Sequence, residues 1–101
     1  MDIYELTAEL RKAKLSSSGD NPSFEIVGWL TKKIRVIGTA DLSYYGRKTG
    51  YTLTAPVGYI KLKGQKIHVQ YADGDGIGGS HNYMDKIAQW IVDNTDLKRG
   101  N

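Results

Sequence analysis

Residues 58–71, GYIKLKGQKIHVQY, constrain the fold more than any other stretch of this chain. Apolar and polar residues alternate in both arms around Gly64-Gln65, and in a strand a period of two sends alternate side chains to opposite faces. Pairing Lys63 with Lys66 sets Leu62 opposite Ile67 and Ile60 opposite Val69, which makes one face apolar. Tyr59, Lys61, Lys63, Lys66, His68 and Gln70 then share the other face, basic and without an acid. Glycine at the first loop position predicts a type II′ turn, whose first central residue needs positive φ. Such a hairpin must have its apolar face covered by something amphipathic.

Two segments can do so. In residues 2–15, Ile3, Leu6, Leu10 and Ala13 recur at helical spacing, with acids early and bases late as the helix dipole favours. In residues 80–94, Met84, Ile87, Ala88, Ile91 and Val92 form a stripe bordered by Tyr83 and Trp90, and Ser80 or Asn82 supplies a cap. Residues 16–22, SSSGDNP, read as a loop and residues 72–79, ADGDGIGG, as a glycine-rich connector. Residues 23–30 and 33–37 read as strands, either joined by a turn at Thr31-Lys32 or continuous as one bent strand. Residues 44–50 suggest a loop or hairpin tip, 51–55 a strand stopped at Pro56, and 96–101 a frayed polar tail. The expected fold is therefore α+β and a single domain over residues 1–101: an antiparallel sheet of four to five strands with an N-terminal and a C-terminal helix packed on one face.

The 101 residues include no cysteine, which excludes disulfides, thiolate metal sites and cysteine nucleophiles and fits a cytoplasmic setting. No apolar run reaches the length of a membrane span, and Asp2, Glu5 and Glu9 break any signal-peptide core. Residues 26–72 carry eight bases against Asp41 alone, a charge of +7 within a chain of net +3. Such an asymmetry either keeps a sheet surface solvated or marks an anionic partner.

Residues 44–51, YYGRKTGY, interleave three tyrosines with two cations. Aromatic rings stack on bases and cations hold phosphates, so the pattern suits nucleic acid. The same residues also suit a loop packed back on the sheet, or a protein-binding tip. The glycine-rich connector before a helix start could approach a phosphate, but it matches neither the Walker nor the dinucleotide pattern. Asp73 and Asp75 resemble the opening of a calcium loop that lacks its third oxygen position and terminal Glu, and His81 and Asp85 stand at helical spacing. An enzyme or metal-dependent protein centred on these four is the least favoured reading, since they are few for a site and no Ser-His-Asp arrangement can be assembled with any specificity. The order helix, antiparallel sheet, helix is loosely similar to the double-stranded-RNA-binding domain, where lysines at the start of the final helix grip phosphates. The corresponding stretch here, GIGGSHNYMDKIAQ, carries Lys86 alone, so that function does not transfer. In size and build the chain also looks like small phage-encoded inhibitors of host proteins.

The sequence thus points to a non-enzymatic binding module without metal or cofactor. Arg47, Lys48, Lys61, Lys63 and Lys66 are expected to meet an anionic partner, nucleic acid ahead of a nucleotide, with Tyr44, Tyr45, Tyr51 and Tyr59 stacking or anchoring. The alternative is a protein-binding inhibitor or adaptor using the same tyrosines on an acidic protein surface. No membrane partner is expected, and a free edge strand leaves pairing across a dimer open.

Overall fold

A computed structural model describes residues 1–13, 15, 22–44, 47–72 and 80–101, the side chains of 39–44, 48, 49, 51–53 and 80–82 excepted. The elements run α1 (Ile3–Lys12), β1 (Ser23–Val27), β2 (Lys33–Tyr44), β3 (Arg47–Lys63), β4 (Lys66–Tyr71), α2 (Ser80–Asn94) and β5 (Lys98–Arg99). The strands form one sheet in chain order. The first four pair antiparallel, and β5 joins β4 in parallel. This is the expected α+β build, with four strands between the helices and a fifth after them.

The hairpin forms in the predicted register, with Lys63 opposite Lys66, Leu62 opposite Ile67 and Ile60 opposite Val69. Gly64 has φ +60°, the left-handed conformation its turn requires. Ile60, Ile67 and Val69 are buried, as are Ile34 and Val36 on β2 and Phe24 on β1. Leu6 and Leu10 of α1 and Met84, Ile87, Ala88 and Ile91 of α2 complete the same core. Asp2 stands outside α1 as its cap, accepting a hydrogen bond from the Glu5 N–H at 2.8 Å. The helix ends at Lys12, short of the expected residue 15, and Arg11 donates to the Phe24 carbonyl at 2.7 Å, tying α1 to β1.

Four expectations are corrected. Residues 23–37 are neither one bent strand nor two strands joined at Thr31-Lys32. The break spans residues 28–32, because Gly28 takes φ +100° and ends β1 at Val27. Of the loop or hairpin tip expected at residues 44–50, the hairpin forms but with a shorter tip, since Arg47 to Gly50 are already strand, with Tyr44 opposite Arg47 and Ser43 opposite Lys48. Pro56 does not stop its strand. Val36 faces Gly58 and Ile37 faces Pro56, so Val57 is an extra residue, and the bulge accommodates a proline that lacks an N–H. Val57 is buried, and a Cβ on Gly58 would lie 2.8 Å from the Met84 side chain, so both residues meet the helix side of the sheet. Finally, residues 96–101 are docked rather than frayed. Leu97 is buried, Lys98 N donates to Gln65 O at 2.9 Å, and Gly100 N donates to Ile67 O at 2.8 Å. The Asn101 amide brackets Val69, accepting from its N–H at 3.0 Å and donating to its carbonyl at 2.8 Å. The sequence signal for this docking is Leu97, an apolar side chain just past α2 that completes the core.

Candidate nucleic-acid interface

Alternation along the strands sorts the side chains. The residues between the core positions, Glu25 on β1, Lys33 and Arg35 on β2, Tyr59, Lys61 and Lys63 on β3, Lys66, His68 and Gln70 on β4, fall on the face away from the helices. Lys98 lies beside Lys66 and extends this face onto β5. Glu25 is the acid on it among the described strand side chains, and it sits 3.6 Å from Arg35. Both partners of that pair are substantially exposed, so it contributes at most about 1 kcal/mol. The cations, in contrast, outnumber it and stand on adjacent strands about 4.8 Å apart. Their mutual repulsion is relieved by solvent ions.

The sequence suggests Tyr59 as a ring for stacking. In the structure Lys33 Nζ lies 4.2 Å and the Arg35 guanidinium carbon 5.9 Å from its centroid, within range of cation–π attraction. Arg35 Nε is buried without a hydrogen-bond partner, while its terminal nitrogens remain at the surface near Glu25. Lys33, Arg35 and Lys98 join the site without having been expected there. The signal available is alternation itself, which places residues 33 and 35 on the hairpin's polar face once β2 is paired with β3.

Arg47, predicted to act with Lys61, Lys63 and Lys66, is exposed at the far end of β3, opposite Tyr44. At about 3.3 Å per residue, the length of strand between them puts Arg47 roughly 40 Å from Lys61, allowing for bulges and twist. The longest dimension of the molecule is 46 Å, so the two groups occupy opposite ends of it. Tyr45 lies outside the described residues, as do Asp73 and Asp75. Of Tyr44, Lys48, Tyr51 and His81 only the backbone is described. Lys61, Lys63 and Lys66 do come together, around the Gly64-Gln65 turn.

Asp85 has a structural role. Its Oδ1 accepts from Tyr71 Oη at 2.5 Å and from Arg99 Nη1 at 3.0 Å, and Arg99 Nη2 donates to Tyr71 Oη at 2.8 Å. These bonds join the end of β4, the first half of α2 and β5. The Tyr71 bond, opposed by partial burial and aided by Asp85, raises the Arg99 pKa above its ordinary value, so Arg99 is held as a cation.

The described residues bring no three metal-binding side chains together, and none of their helices is long and apolar enough to cross a membrane. The chain matches no protein-family model, no curated protein and no solved structure.

Proposed function

We propose that this protein is a binding module that docks nucleic acid on the open, basic face of its sheet. The observation that carries the reading is the alignment of Lys33, Arg35, Lys61, Lys63, Lys66 and Lys98 on one face that holds Glu25 as its described acid. A polyanion that lies on such a face releases its condensed counterions, and this supplies affinity without base-specific contacts. The roughly 40 Å between this cluster and Arg47 favours a polymer over a mononucleotide, since a nucleotide touches one end and a strand or duplex can reach both. The reading needs no catalytic group, and the cysteine-free composition suits work in the cytoplasm.

The test is to purify the protein with and without nuclease treatment of the lysate. Nucleic acid is expected to accompany the untreated wild type and to be lost from a Lys61→Gln, Lys63→Gln, Lys66→Gln variant. A protein that carries no nucleic acid, and binds no labelled oligonucleotide at low salt, would overturn the reading. In that event a discrete protein retained after nuclease would point to an acidic protein partner on the same face.

A further inference from the structure

Trp29 and Leu30 are 90% and 93% exposed, the most exposed large apolar side chains among the described residues. They form the tip of the loop at residues 28–32. A tryptophan fully in water gives up the burial that its large apolar surface would gain elsewhere. The loop is also held in shape. Gly28 is at φ +100°, and a Cβ there would lie 2.3 Å from the Thr31 carbonyl oxygen, so the backbone is folded tightly on itself. At its far side Lys32 is hydrogen-bonded to Tyr4 and lies 4.9 Å from that ring's centroid, which pins the loop to α1. The tip is thus presented to solvent on a tightly turned loop tied to α1, not a collapsed side-chain pair.

Its position supplies the partner. The loop enters β2 at Lys33, and Ile34 is paired with Ile60. The tip therefore stands at the same end of the sheet as Lys61, Lys63, Lys66 and Lys98. The loop is tied to α1 on the helix side, so a ligand lying along the basic face reaches the exposed indole only by passing over this end of the sheet. Stacking on a base is what a planar, exposed aromatic at the same end of the sheet as a cluster of cations can do, and it needs a base whose π-face is free. Tyr59 already has Lys33 and Arg35 beside its ring, whereas Trp29 is 90% exposed.

We propose that Trp29 stacks on an unpaired base, with Leu30 against the neighbouring sugar or base edge, and that the ligand is accordingly single-stranded nucleic acid. This rests on the reading of the basic face as a nucleic-acid interface. The experiment uses the whole protein and three probes: a labelled dT oligonucleotide, a duplex of equal length, and vesicles containing phosphatidylserine. Trp29 is followed by fluorescence in a Trp90→Phe background, and affinities are compared for wild type, Trp29→Ala, Trp29→Phe and the triple lysine variant. Thermal melts of each variant confirm folding, which a residue this exposed is not needed to support. Expected are quenching of Trp29 by the dT oligonucleotide and a loss of roughly ten- to hundredfold in affinity for Trp29→Ala, the range for one stacked base. Trp29→Phe should recover part of that loss, and the duplex should bind more weakly with little quenching.

Trp29→Ala binding the dT oligonucleotide as tightly as wild type, while the lysine variant still weakens, overturns the stacking and leaves the basic-face reading standing. Equal or tighter duplex binding without quenching also overturns it. A blue shift of Trp29 on the vesicles, with no response to the oligonucleotide, overturns it in favour of a lipid surface. If the wild type binds neither oligonucleotide, both proposals fall, and the failure lies with the basic face.

Discussion

Single residues decide this fold where the backbone must take a conformation that a Cβ opposes. Gly64 is at φ +60°, and a Cβ there would meet nothing within 4 Å, so a substitution carries the left-handed cost alone, about 1–2 kcal/mol. Gly64→Val should therefore lower the melting temperature by several degrees, while Gln65→Val, at the exposed second turn position, should change it little. Equal shifts would mean that the turn type is wrong. Gly28 combines φ +100° with a 2.3 Å approach to the Thr31 oxygen. Gly28→Ala should thus destabilise more than Gly64→Ala in urea denaturation, and the reverse order would contradict the tight geometry given to residues 28–32. The two glycines differ in how readable they are. Gly64 stands between two alternating arms that announce a hairpin. Gly28 sits inside a run of strand-forming residues with no flanking turn signal, so pattern alone puts the break too late in the chain.

Among the elements, α2 and β5 hold the sheet from one side. Ile87 and Ile91 are buried, and Ile87→Ala and Ile91→Ala should each cost about 2–4 kcal/mol in urea denaturation. Leu97 is 2% exposed, and Leu97→Ala should cost a similar amount even though it lies in the short polar segment after α2. Arg99→Ala should cost less than about 1 kcal/mol, because its pair with Asp85 is partly exposed to solvent. If Arg99→Ala proves as damaging as Leu97→Ala, polar bonds rather than apolar burial fix the C-terminal strand. The helices and the β3–β4 hairpin are legible in the sequence because their periodicity is uninterrupted. The continuity of β3 through Pro56 is not, because a bulge depends on the partner strand, and a proline read alone marks a strand's end. Nor is β5, because two charged residues show no pattern, and their place is set by Leu97 and by backbone bonds to β4.

At the scale of the whole molecule, the charge division seen in the sequence becomes a division of faces, with apolar side chains and helices on one side and cations on the other. Of the candidate site, the lysines around the β3–β4 turn are legible from alternation. The separation of Arg47 from them is not, because distance along β3 depends on its running unbroken for 17 residues. The cations beside the Tyr59 ring are not legible either, since they come from β2. The measurement that tests the basic face most directly is the affinity for a labelled oligonucleotide, by fluorescence anisotropy, as salt is varied. For the Lys61→Gln, Lys63→Gln, Lys66→Gln variant, affinity at low salt should fall and the slope of log affinity against log salt should flatten by roughly two to three units, one for each lysine that releases a counterion. An unchanged slope, or no wild-type binding with tens of micromolar protein near about 50 mM salt, where even non-specific binding registers, would contradict the assignment of this face to nucleic acid.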